Sequence, residues 1–236
     1  MSGHYRGDRV LDSAIVMSGL RGVACLMSLA LGSPALAGTV KGQVELVEKS
    51  GKKTALLNDV VVYVDGARAK ARPSHATMTM KGKAFAPRVV VVGMGGTVDF
   101  PNEDPIFHNV FSVSGDNAFD LPLYKRPKSG QWIFQNPGIV RVYCNIHPQM
   151  SAVVVVRDNP YFAQAEADGS FVIPDVPAGR YTLKAWHERA GREASVQLTV
   201  PATGEVGAKL VLDASSYRRV PHKKKDGKDY GGDEKY

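Results

Sequence analysis

Cysteine is scarce in this chain: Cys25 and Cys144 are the only two in 236 residues, so no disulfide framework holds the fold together. Long apolar runs are missing beyond the first forty residues; "VVVVG" from Val89 and "SAVVVVRD" from Ser151 have the length of strands, not of membrane spans. Apolar spacing at helical period is nearly missing too, which argues against a helical protein. Paired carboxylates, a glycine-rich phosphate loop and interleaved aromatic and basic residues are all lacking in convincing form, so neither carboxylate-based hydrolysis nor nucleic acid binding is indicated. What the chain does have is 44% apolar residues, too many for a disordered chain, arranged as short Val-rich runs between Gly, Pro, Asn and Asp. The fold class expected is all-β.

The N-terminus reads as an export signal over residues 1–37. Arg21 precedes the apolar, small-residue stretch "GVACLMSLALGSPALA", which closes on Ala35-Leu36-Ala37, an A-x-A pattern that places cleavage before Gly38. Asp8 and Asp12 suit the start of a signal poorly, so Met17 is the alternative first residue. A membrane anchor is disfavoured by Pro34 and by a run short of the roughly 20 apolar residues a span needs. The destination expected is the periplasm, with no transmembrane span in the mature chain. Cleavage removes Cys25 and leaves Cys144 as a lone thiol in an oxidising compartment, where burial, an intermolecular partner or a metal must account for it.

Three regions follow. "TVKGQVELVE" alternates apolar and polar residues as a half-buried strand does, and "DVVVYVDG" is a second strand ending in an Asp-Gly turn. After a basic stretch read as a linker, residues 75–158 hold closely spaced strand candidates: "ATMTM", "PRVVVVGMGGTVDF", "FHNVFSV", "QWIF", "IVRVYC" and "SAVVVV". From Asn159 about four more appear, too few for an independent sandwich. The expected arrangement is therefore a small sandwich of residues 39–66 and 159–214, with residues 75–158 inserted as a second sandwich. The tail, residues 215–236, is rich in charge and poor in apolar residues, and disorder is expected there.

The stretch "YCNIHPQM", residues 143–150, carries the chemistry. In "IVRVYC" the residues Val140, Val142 and Cys144 share one strand face, and a new strand begins at Ser151, so Cys144, His147 and Met150 sit on a short loop at C-x-x-H-x-x-M spacing. A thiolate, imidazoles and a weak thioether suit copper in both of its oxidation states. Of the other histidines, His4 is in the signal, His75 in the linker, His187 in the other sandwich and His222 in the tail, which leaves His108 as the candidate second imidazole. Taken singly, each residue has a plain structural reading: Cys144 as a small core hydrophobe, His108 as a turn histidine, Met150 as packing. Zinc is a weaker rival because structural zinc sites rarely use thioether. A nucleophilic Cys144–His147 pair is weaker still, as no oxyanion-hole motif accompanies it.

"HNV" at His108 followed by "YCNIHPQM" resembles the cupredoxins, the type 1 blue copper proteins, and amicyanin and plastocyanin among them; "FAPRVVVVGMGGTVDFPNED" upstream is similar to that family's opening strands. The resemblance implies a Greek-key β-sandwich over residues 75–158 with one copper ion, His108 and His147 as imidazole ligands, Cys144 as thiolate and Met150 as axial thioether. It further implies that Asn109 ties the first ligand's strand to the Cys144 loop and that Pro148 stiffens that loop, with Ile146, Pro148 and the edge of His147 forming the patch through which electrons leave. "GTVKGQV" and "DGSFVIPDVPAGRYTL" resemble the carboxypeptidase regulatory-like, or transthyretin-like, family, which implies a small β-sandwich for the outer segments. The combination is similar to proteins labelled methylamine utilization proteins.

The function these resemblances imply is single-electron transfer between redox proteins, a cytochrome or a periplasmic dehydrogenase being the expected partners. No enzymatic activity is expected: without an H-x-H pair no multi-copper cluster is encoded, and without a second mature Cys no binuclear centre. Copper delivery or buffering is one alternative, and a cell-surface binding protein with a degenerate metal site is another.

Overall fold

The structure is a computed structural model that describes residues 36–49 and 57–231. The expected signal, with Cys25 and both candidate starts, lies outside the described residues except for Leu36 and Ala37. The described residues are strands and loops with two short 3-10 turns, so the all-β expectation holds. No helix among them is long and apolar enough to cross a membrane.

The first two strands are β1 (Ala37–Val47) and β2 (Val61–Asp65). The next ten are β3 (His75–Thr77), β4 (Thr79–Lys81), β5 (Ala84–Ala86), β6 (Val89–Gly93), β7 (Gly96–Pro101), β8 (Phe111–Ser112), β9 (Phe119–Asp120), β10 (Ser129–Phe134), β11 (Gly138–Tyr143) and β12 (Ser151–Arg157). The last five are β13 (Phe162–Gln164), β14 (Ser170–Pro177), β15 (Gly179–Trp186), β16 (Ala194–Val200) and β17 (Glu205–Asp213).

The pairing of these strands is nested. β1 lies between β14, antiparallel, and β17, parallel; β2 lies between β13 and β15, and β16 extends that sheet. Strands β3 to β12 pair only among themselves, as a sheet β6-β12-β11-β8-β9, a sheet β10-β7-β3 and the ribbon β4-β5. One hydrophobic core fills the space between the first two of these inner sheets, with Val140, Val142 and Val154 facing Val98, Phe100 and Phe134. A second core joins Val40, Leu46, Ile173 and Leu212 to Val62, Leu183 and Val200 of the outer pair.

Strand β12 shows why its sequence is an unbroken Val run. Ala152, Val154 and Val156 face the inner core, while Val153 and Val155 meet Val61 and Tyr63 of β2 in a third cluster. A strand covered on both faces has no position for a polar residue, so alternation disappears. The "DG" of the outer region makes the turn expected of it: Gly169 has φ +87° and donates its N–H to the Glu166 carbonyl, while the Asp168 carboxylate accepts from the Ser170 N–H at 2.8 Å.

Two local expectations differ from the structure. "FHNVFSV" is strand only at Phe111–Ser112, and His108 makes just an isolated bridge to Tyr124. His108, Asn109 and Val110 are buried in succession, which an alternating strand with one wet face does not permit. The basic stretch read as a linker ends in β3, where His75 pairs with Asp99 at 2.8 Å.

Candidate metal centre

Strands β11 and β12 are antiparallel neighbours, with Tyr143 opposite Ser151, so the residues between them form a closed loop. The Cys144 N–H donates to the Met150 carbonyl at 3.3 Å and the Met150 N–H donates to the His147 carbonyl at 3.1 Å. These bonds turn Cys144 and His147 inward. Cys144, Met150 and His108 are fully buried, and His147 is 5% exposed.

His108 comes from the loop between β7 and β8, three residues before β8 pairs with β11, and is placed by a network that its own loop builds. The Asn102 amide donates to the carbonyls of Ile106 and Tyr124, and its Oδ1 accepts from the Asp104 N–H. The His108 N–H then donates to the Tyr124 carbonyl at 3.0 Å. Asn109 spans to the other loop: its Oδ1 accepts from the Asn145 N–H at 2.7 Å, and its Nδ2 donates to Asp120 at 3.3 Å.

The donor atoms converge. His108 Nδ1 and His147 Nδ1 are 3.0 Å apart, and Cys144 Sγ lies 3.7 Å from His147 Nδ1 and 4.0 Å from His108 Nδ1. The circumradius of a triangle with those three sides is about 2.1 Å, close to the roughly 2.0–2.3 Å at which imidazole nitrogen and thiolate sulfur hold a transition metal. Among the described residues, His108, Cys144 and His147 are the group that can hold a metal ion. Met150 shares their core cluster.

Tautomers sharpen the reading. His108 Nε2 lies 2.8 Å from Asp104 Oδ2, and a carboxylate there requires a proton on Nε2, so Nδ1 is the ring nitrogen available to a metal. Asp104 also accepts from the N–H groups of Gly82 and Lys83. Burial works to raise its pKa, but these N–H groups and the His108 ring outweigh it and hold the carboxyl below its ordinary range. Opposite, His147 Nε2 is buried with no hydrogen-bond partner. Burial, with the charges of His108 and Lys83 behind it, pushes the His147 pKa down to about 4, so the ring is neutral at pH 7. Two Nδ1 atoms facing each other at 3.0 Å need either a proton or a metal ion between them. Burial also pushes the Cys144 thiol up, against the backbone N–H groups around it, so a nearby cation is what makes the thiolate favourable.

The structure thus brings His108, Cys144, His147 and Met150 into one buried locus, with Asn109 bridging the two loops and Pro148 exposed on the loop's outer side. The His147 edge expected in an electron-exit patch is covered, whereas Ile146 is half-buried. Sequence reasoning assigned no role to Asp104; a carboxylate four residues before a histidine is the signal that marks it.

A family model described as polysaccharide lyase family 4, domain II, matches residues 142–204. It is a different model from the transthyretin-like family that the outer segments resemble. No curated protein matches the chain. Among solved structures, a purple cupredoxin from Nitrosopumilus maritimus is 21% identical, covering 35% of this chain and 99% of its own, at TM-score 0.32. Amicyanin from Paracoccus versutus is 20% identical over 41% of this chain and 97% of its own, at TM-score 0.34. A copper-containing nitrite reductase from Thermus scotoductus SA-01 is 26% identical over 48% of this chain and 28% of its own, at TM-score 0.34. That last likeness corrects one expectation: a copper-containing nitrite reductase stands among the similar structures, so the sequence-based statement that this chain is not an enzyme is withdrawn. The chain's own His-Cys-His cluster, with Met150 in the same buried core, is consistent with one copper ion.

Proposed function

We propose that the chain binds one copper ion through His108 Nδ1, His147 Nδ1 and Cys144 Sγ, with Met150 as a weak fourth ligand, and transfers single electrons between redox proteins. The observation that carries this reading is the facing pair of Nδ1 atoms beside a buried thiol, 3.0 to 4.0 Å apart. Copper, when bound, supplies a one-electron Cu(I)/Cu(II) couple. The chain's own part is constraint. Asp104 fixes the His108 ring and its tautomer, Asn109 joins the two loops, and the β11–β12 pairing holds Cys144 and Met150 at the loop's two ends. Ligands held this way move little when the oxidation state changes, which keeps the reorganisation cost of electron transfer low.

In this reading residues 75–158 are the copper-binding sandwich, inserted into a small sandwich of residues 39–66 and 159–214 that is transthyretin-like, and the nested strand pairing supports that division. Export to the periplasm through residues 1–37 fits the lone mature Cys and the A-x-A pattern. A periplasmic cytochrome or dehydrogenase is the partner class proposed, and a part in methylamine utilization rests on the family resemblance.

The test is the optical spectrum of the protein loaded with Cu(II) and then reduced. An intense visible thiolate-to-copper band that bleaches reversibly, and that is lost in Cys144→Ser and His108→Ala, is expected. Copper binding without that band, or no binding, overturns the reading.

A further inference from the structure

The segment from Tyr217, which composition marks for disorder, is described through Gly231 and lies against the Cys144 loop. Its contacts are specific. The Tyr230 hydroxyl donates to the carbonyl of Cys144 at 2.6 Å and stands 3.2 Å from His222 Nδ1. The His222 ring stacks on Tyr143, centroids 4.3 Å apart and planes at 21°, and meets the Tyr230 ring edge-on at 5.1 Å. The Lys225 N–H donates to Asn145 Oδ1 at 2.9 Å, and Lys225 Nζ pairs with Asp120 at 2.5 Å.

A turn brings these groups together. The Gly227 N–H donates to the Lys224 carbonyl, the Lys224 N–H donates to the Lys228 carbonyl, and Gly227 has φ +80°, a conformation glycine takes without strain. Lys225 at the turn also completes a closed network. Asn109 holds both the Asn145 N–H and the Asp120 carboxylate from the site side, and Lys225 holds the Asn145 side chain and the same carboxylate from the outside.

We infer that residues 217–230 are an intramolecular clasp on the metal loop, in which Tyr230 is a positioning residue for Cys144 and Lys225 locks Asn145. The clasp covers Tyr143, the neighbour of Cys144, and limits water at the loop, so it sets both the loop's rigidity and the environment of the bound ion. Its redox consequence rests on the copper reading proposed above; its effect on the loop does not.

The experiment uses the full chain with Tyr230→Phe, which keeps the ring and loses the hydroxyl, and Lys225→Ala, with Tyr217→Phe as a control on the same segment. In the metal-free protein, amide hydrogen exchange at Cys144 and Asn145 is expected to quicken about fivefold or more in the first two variants and to be unchanged in the control. In the copper-loaded protein, both variants are expected to lower the reduction potential, because water reaching the loop favours the more highly charged oxidised site. Exchange equal to that of the parent chain overturns the clasp. Faster exchange with an unchanged potential makes the segment a brace only and overturns the positioning role. A parent chain that binds copper without the visible band defeats the copper reading, while the exchange result still decides the clasp.

Discussion

His108 and His147 stand 39 positions apart in the chain, yet their Nδ1 atoms lie 3.0 Å from each other in the interior of the inner sandwich. Neither ring arrives there through a regular strand. His147 is carried by the short loop between β11 and β12, and His108 by a loop that Asn102, Asp104 and Tyr124 tie together with side-chain and backbone hydrogen bonds.

Asp104 is the partner that fixes the His108 ring. Asp104→Asn keeps the size but loses the charge that holds the proton on Nε2, so copper affinity is expected to fall by about 10- to 100-fold. Competition with a chelator for Cu(I) measures this; an unchanged affinity shows that the ring is held by packing alone.

Asn109→Ala leaves the Asn145 N–H without its acceptor and removes a bond to Asp120. The expected loss is about 1–3 kcal/mol of folding stability, read by urea unfolding of the metal-free chain. A loss below a few tenths would mean that water replaces the amide.

His187 is 2% exposed, and burial, helped by the Arg189 charge, pushes its pKa down to about 4. Its Nδ1 accepts from the Arg189 N–H, which requires the neutral ring. An unfolded histidine titrates near 6.5, so between about 6.5 and 4 the unfolded chain binds protons that the folded chain refuses. Stability is therefore complete above the unfolded value and falls as pH drops through this window, by up to about 3 kcal/mol for this residue. His187→Asn is expected to flatten the pH dependence of denaturant unfolding in part; His147, lowered to about 4, and His222, also lowered by burial, keep a further part in the metal-free protein.

Val155 faces β2 across the cluster that also holds Val61, Tyr63 and Val153. Val155→Ala removes two buried methyl groups and is expected to cost about 1–2 kcal/mol, seen as a drop of about 2–4 °C in Tm per kcal/mol. The visible spectrum of the copper-loaded protein is expected to be unaffected, because the side chain points away from the core that contains Cys144.

Much of this molecule is legible in its amino-acid order because the relevant signals are local. Apolar residues at period two, with Gly, Pro, Asn and Asp between them, specify strands and turns wherever one face is wet, as β11 shows with Val140 and Val142 buried against exposed Arg141. The grouping of Cys144, His147 and Met150 is equally local, since one tight loop carries all three. His108 can be singled out only by setting the other histidines aside, and the strand pattern of its neighbours hides its irregular backbone.

What composition could not reveal depends on distance. That Asp104 reaches His108 Nε2, that the His147 edge is covered, and that Val153 and Val155 face a second sandwich are consequences of how separate segments pack. The tail is the clearest case. Its charge and lack of apolar side chains predict disorder by the rule that a segment must bury apolar area to offset its conformational entropy. That rule counts only what the segment itself supplies. Tyr230 and Lys225 instead find a carbonyl, an amide and a carboxylate already held in place by Asn109 and the Cys144 loop, and the ordering of that surface by the rest of the fold is what only the tertiary structure decides.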